Sequence, residues 1–228
     1  MKNRLEKLRT DKSSGVDEIN PMLLRELRDE IAQPLAELFK ASLETGVVPE
    51  DWRSANITSL FKKGRRCDSK NYRPISLTSI VCKILESMIK DEVVKHLDRF
   101  KLIKGSQHGL TKGRSCLTHL LEFFEEVTSI LDGGKPVDVI YLDFAKAFDK
   151  VPHRRLIRKL QSHGIQGQVL KWIEGWLKGR KQRVSLNGRF SKWCEVLSGV
   201  PQGSVLGPLL SFIFINDNAS KFHIWHWQ

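Results

Sequence analysis

The run Val137–Phe144, VDVIYLDF, constrains the fold more than any other stretch. It alternates, is rich in β-branched and aromatic residues, follows Pro136 and reads as a buried strand. Helical spacing surrounds it. Leu24, Leu27, Ile31, Leu35, Leu38 and Phe39 predict a helix from Pro21 to Thr45, bent or divided at Pro34 and stopped at Gly46. A second helix is expected from Thr78 to Arg99 and a third from Ser115 to Leu131, each opened by a hydroxyl residue suited to capping. Two more follow near Arg154–Ser162 and Gln168–Lys178. Asn56 to Phe61 (NITSLF) reads as a short strand leading into a basic turn, KKGRR. RVSLNGRFSKWCEV reads as a hairpin turning at Asn187-Gly188, and the chain closes on a PQGS turn and an apolar helical segment. The fold class is α+β, with helices outnumbering strands.

With 40% hydrophobic and 28% charged residues, the 228-residue chain can bury a real core. Its longest apolar stretch near the end, Val205 to Ile215, is broken by Gly207, Pro208 and Ser211 and falls short of the ~20 residues of a membrane span. The charged opening residues lack a signal-peptide core, so a nuclear or cytoplasmic protein without a membrane partner is expected. Cys67, Cys82, Cys116 and Cys194 form no C-x-x-C pair and read as reduced, mostly buried thiols; His223 and His226 lack a second ligand pair at zinc spacing. Charge says more. Lys and Arg number 38 against 26 Asp and Glu, a formal net of +12. Between Pro152 and Trp193 stand eleven basic residues and one acid, Glu174, which suits a polyanionic partner.

Three places carry chemistry. Tyr141 to Asp149 (YLDFAKAFD) puts Asp143 at the end of an apolar strand, where a carboxylate can reach a metal; strand-end aspartates also simply cap the next helix. Ser198 to Pro208 (SGVPQGSVLGP) holds a Pro-Gln-Gly-Ser turn whose glycine lets backbone approach a ligand closely. Asn71 to Ser76 (NYRPIS), after Lys62-Lys63-Gly64, offers cations that could meet a triphosphate.

In their order and spacing, NYRPISL, GSQHGLTKGRS, YLDFAKAFD and SGVPQGSVLGP resemble the reverse transcriptases of non-LTR (LINE-type) retrotransposons, most of all the jockey-like branch of animal genomes. The match runs from Ser13 to Asp217. It implies a right-hand polymerase fold with fingers over 15–134, an incomplete palm over 135–217, no thumb, a polar tail over 1–14 and an atypical tail over 218–228. It implies Mg2+ as cofactor, held by Asp143 and the backbone carbonyl of Phe144. Phe148 would lie beneath the sugar of the incoming nucleotide and disfavour a ribose. Gln202 and Gly203 would contact that nucleotide and the template, and Arg73 with Lys62 or Lys63 would grip its triphosphate. Gln107 and Lys112, Gly113, Arg114 and Ser115 would follow the template. The implied partners are an RNA template, a DNA primer and deoxynucleoside triphosphates; no feature specifies an oligomeric state.

One element of the family is missing. Its adjacent aspartate pair, in Phe-Ala-Asp-Asp or Tyr-Ala-Asp-Asp, has no counterpart; Asp149 and Asp217 do not match it and read as a helix cap or surface carboxylates. Asp143 with one carbonyl lacks most of the charge that fixes a metal, so this truncated chain is expected to be inactive alone. The alternative is a non-catalytic fragment that holds RNA or an RNA–DNA hybrid on its basic face.

Overall fold

The computed structural model describes residues 1–104, 113–140 and 146–216. Its helices are α1 (Lys2–Glu6), α2 (Pro21–Glu26), α3 (Arg28–Thr45), α4 (Glu50–Arg53), α5 (Ile80–Arg99), α6 (Cys116–Asp132), α7 (His153–Ser162), α8 (Gly167–Leu177) and α9 (Leu206–Ile215). The strands are β1 (Ser54–Phe61), β2 (Tyr72–Leu77), β3 (Arg180–Leu186), β4 (Arg189–Phe190) and β5 (Cys194–Val196). The mixed α and β content fits the expected class.

β1 pairs antiparallel with β2 and parallel with β3, joining Asn56 to both Leu77 and Arg183. β5 pairs with the first half of β3 and β4 with its second half. The turn at Asn187 (φ 49°) and Gly188 (φ 75°) holds two successive left-handed residues, as a tight hairpin of the correct twist requires.

α5 runs through the core. Its Ile80, Cys82, Ile84, Leu85, Ile89, Val93 and Leu97 are buried, against Leu156 and Leu160 of α7, Trp172, Ile173 and Trp176 of α8, and Leu206, Leu210 and Ile213 of α9. The polar segment 1–14 is anchored to this body. Leu5 is fully buried, and Arg4 donates to Ser87 Oγ (2.8 Å) and Asp91 Oδ2 (2.7 Å) on α5.

Four local expectations need correction. The first long helix is divided at Leu27 (ψ 17°), and Pro34 stays inside α3, whose remaining ladder bonds absorb the one that proline removes. α5 is capped by Ser79, whose side chain accepts from Cys82 N–H; Thr78 precedes the cap, with its hydroxyl buried and unpartnered among the described residues. Residues 137–140 are in no strand, and Ile140 is 80% exposed. A strand needs a partner ladder, and among the described residues none reaches this run. Three of the four cysteines are exposed; Cys82 alone is buried.

Candidate functional site

The Pro-Gln-Gly-Ser turn is the meeting point of the chain. Its Gln202 carbonyl accepts from Ser76 N–H at 2.7 Å, so the turn continues the sheet at the free edge of β2. Gly203 stands at φ 124°, and a Cβ there would lie 2.6 Å from the Ser76 carbonyl oxygen. Only glycine allows that seat. On its other side the turn holds the segment after the implied metal aspartate. Val200 N–H donates to the Phe148 carbonyl (2.8 Å) and Gly199 N–H to the Val151 carbonyl (2.8 Å). Gly199, at φ 87°, would put a Cβ 2.7 Å from the Asp149 backbone. Ser198 Oγ donates to the Asp149 carbonyl at 3.0 Å, and the His153 ring nitrogen Nε2 lies 2.7 Å from the Gly199 carbonyl.

The side chain of Gln202 is oriented as well. Its Nε2–H donates to Asp149 Oδ1 at 3.1 Å. With one N–H held, the amide oxygen and the second N–H can face a ligand. Of the two sequence readings of Asp149, the surface carboxylate holds: it is exposed, Pro152 rather than Asp149 precedes α7, and its Oδ1 positions Gln202. Phe148, beside it, is half-buried and packs against the core.

Arg73 lies on β2 three residues before Ser76, about 10 Å away at ~3.4 Å per residue. It is exposed, as are Lys62 and Lys63 at the end of β1, and none of the three has an ion-pair partner among the described residues. Lys62 N–H bonds the Asn71 carbonyl (2.8 Å), which closes this basic turn toward β2. The hairpin therefore presents Arg73 on the strand that seats Gln202, with Lys62 and Lys63 in the turn that follows β1.

Glu86 fixes the far end of the turn. It is fully buried on α5, and its Oε2 accepts from Val205 N–H (2.6 Å) and Leu206 N–H (3.1 Å), the first amides of α9. Its Oε1 accepts from the Cys82 thiol (3.4 Å). The N-terminus of α9 favours this negative charge, as does buried Arg180, whose guanidinium donates to the Trp176 carbonyl (3.2 Å) and stacks over that indole (4.8 Å). Burial pushes the Arg180 pKa down while Glu86 pulls it up; burial, then the charge of Glu86, pushes the Cys82 thiol well up. The sequence gives little sign of Glu86, because a charged residue within a helical period reads as solvent-facing.

Other expected site residues lie elsewhere. Ser115 is the N-cap of α6, in a reciprocal box with Thr118: Thr118 N–H to Ser115 Oγ is 3.2 Å and Ser115 N–H to Thr118 Oγ1 is 2.8 Å. Gly113 holds φ 78° with open space around it, and Arg114 is half-buried beside it. Asp143, Phe144, Gln107 and Lys112 lie outside the described residues, as do Asp217, His223 and His226. Among the described residues no group of three or more His, Cys, Asp or Glu could hold a metal ion, and the exposed carboxylate against the turn, Asp149, is engaged by Gln202. The described residues thus do not by themselves fit a metal centre.

The Pro-Gln-Gly turn thus joins the cationic hairpin to the segment around Phe148 and Asp149. Residues 61–224 match the family described as reverse transcriptase (RNA-dependent DNA polymerase), and the chain belongs to that family. Among its relatives the chain is 31% identical over 218 residues to the RNA-directed DNA polymerase from mobile element jockey of Drosophila melanogaster, covering 95% of this chain and 24% of the relative. It is 28% identical to the probable RNA-directed DNA polymerase from transposon BS of the same species, over 90% of this chain and 23% of the relative. To the Pol polyprotein of the type-1 retrotransposable element R2 of Popillia japonica it is 29% identical, over 72% of this chain and 23% of that protein. The chain spans about a quarter of the length of these relatives. It is therefore similar to the reverse transcriptase region of non-LTR retrotransposon polymerases.

Proposed function

We propose that residues 15–134 form fingers and 135–217 the beginning of a palm, in an RNA-directed DNA polymerase that extends a DNA primer on an RNA template with deoxynucleoside triphosphates. Gln202 and Gly203 line the incoming nucleotide, Phe148 supports its sugar, and Arg73 with Lys62 or Lys63 meets its triphosphate. Asp143 and the Phe144 carbonyl serve the catalytic metal, expected to be Mg2+, and Lys112 to Ser115 with Gln107 track the template. One observation carries this reading: the Gln202 turn bonds Ser76 of β2 through its backbone and Asp149, 53 residues earlier in the sequence, through its side chain, so two motifs far upstream converge on one turn. Nothing in that convergence is needed for mere burial, since Gln202 and Asp149 are not buried.

The test is photocrosslinking with an azido-dNTP in the presence of an RNA template and DNA primer. Label recovered in peptides containing Gln202 or Arg73, and lost with Arg73→Ala, is the expected result. Label confined to peptides remote from both would overturn the assignment. In primer extension with Mg2+, the 228-residue chain is expected to show negligible synthesis, because it has no adjacent aspartate pair. Robust extension abolished by Asp143→Ala would remove that expectation of inactivity.

A further inference from the structure

The amino-terminal segment borders a cavity that the Gln202 site does not use. Helix α1 is too short to stand alone, and it is held across α5 by Arg4, which bonds Ser87 and Asp91, and by fully buried Leu5. Between this segment, the first turns of α5 and the start of α9 lies a cavity of about 300 Å³. Its apolar walls are Leu8, Ile84 and Val205; Ile84 is buried and the other two are half-buried. Arg4, Lys7 and Lys83 supply three cations around them.

The three cations are not equivalent. Arg4 is paired with Asp91 at 2.7 Å, and Lys7 is exposed to solvent. Lys83 is half-buried, and its ammonium has no hydrogen-bond or ion-pair partner among the described residues. Burial pushes its pKa below the ordinary lysine value, and the charge of Glu86 pulls it back. Glu86 is itself committed to the Val205 and Leu206 amides and the Cys82 thiol, so it acts on Lys83 only through space. Asp17 acts in the same way, opposed by Lys12. A partly desolvated ammonium with no bonded acceptor is unfavourable, and an anion entering the cavity would supply one.

We propose that this cavity binds a small amphiphilic carboxylate, its apolar body against Leu8, Ile84 and Val205 and its head on Lys83. A wholly apolar guest would leave the ammonium unsatisfied. A phosphate would meet the cations but leave the apolar walls idle, and its larger charge is harder to take out of water. The volume, at the lower end for ligand sites, limits the guest to a short chain or a single ring. The cavity also adjoins the Pro-Gln-Gly-Ser turn. Its wall residue Val205 follows Ser204 and is the one whose amide Glu86 holds. An occupant would therefore bear on the turn without sharing a residue with the proposed nucleotide contacts. Binding requires neither metal, nucleotide nor template, so it stands or falls apart from the polymerase reading.

The experiment is isothermal titration calorimetry of the 228-residue chain, without metal or nucleotide, against butyrate, hexanoate, octanoate, 1-octanol and inorganic phosphate. Octanoate is expected to bind saturably, and affinity should rise about threefold to fourfold with each methylene added to butyrate. Octanol, which lacks the charge, and phosphate, which lacks the chain, should each bind about tenfold more weakly or worse. Lys83→Met, which keeps the apolar stem and removes the ammonium, should weaken octanoate about tenfold in a chain that still melts cooperatively. Independently of any variant, a diazirine-bearing octanoate should label peptides containing Leu8 or Ile84 in the unaltered chain. Octanol binding as tightly as octanoate, full octanoate affinity in folded Lys83→Met, label confined to other peptides, or no saturable binding of octanoate overturns the site.

Discussion

Gly203 and Gly113 both hold positive φ, at 124° and 78°, yet they differ in what surrounds them. A methyl at Gly113 meets open space, so Gly113→Ala carries only the left-handed backbone cost of ~1–2 kcal/mol. At Gly203 the same methyl meets the Ser76 carbonyl at 2.6 Å, in a region of φ that residues with a side chain rarely occupy. Gly203→Ala is therefore expected to be the more destabilising in urea unfolding, by a further ~1–3 kcal/mol, as the turn leaves β2. Cysteine chemistry provides a second contrast. Cys67, Cys116 and Cys194 are exposed and Cys82 is buried beside Glu86, its thiol pKa pushed well up by burial. A thiol titration at pH 8 should count three groups in the native chain and a fourth after denaturation. The sign for stability follows from linkage: the folded thiol stays protonated where the unfolded one, near its ordinary ~8.5, has ionised. Stability is thus fully present below that value and declines as pH rises above it, an effect Cys82→Ser should reduce in alkaline melts.

Among elements, α9 and the turn before it depend on a helix far away in sequence. Glu86 of α5 receives the first two amides at the start of α9, and it is fully buried. Glu86→Ala leaves those N–H groups without their acceptor and removes the negative charge that favours buried Arg180, and should cost ~3–5 kcal/mol; Glu86→Gln, which keeps one acceptor oxygen, should cost less. Chemical denaturation of both variants decides this, and equal stabilities would remove Glu86 from the positioning of the turn. Helices at this scale were largely legible in the sequence, because α3, α5, α7 and α8 each bury a periodic face, with left-handed Gly46 ending α3 and Ser79 capping α5. The Asn187-Gly188 hairpin was legible for its turn chemistry. Residues 137–140 were misread for a physical reason: alternation records a tendency to pair, while a strand exists only where a neighbour supplies the ladder. The site shows the same limit. Gln202 and Gly203 announce themselves by composition, but Ser76, Asp149 and Glu86 act through tertiary contacts that leave no local mark.

For the molecule as a whole, cooperativity should divide α5 from α6. α5 is buried along its length against α7, α8 and α9, so its amides open only when the core does. α6 is strongly amphipathic and well capped, yet none of its residues is buried; Leu117, Leu120, Leu121, Phe124 and Leu131 are all exposed. Capping and propensity alone give a helix of this length little stability, so a helix with no buried residue is held less firmly than one inside the core. Amide exchange across Cys116–Asp132 should therefore be faster than across Ile80–Arg99 by orders of magnitude, with α5 approaching global protection. Lowering overall stability with Glu86→Ala should accelerate exchange in α5 more than in α6, since no residue of α6 is buried in that core. Matching protection in the two helices would mean that α6 is held as firmly as α5, and its apolar face would then count as part of the folded core.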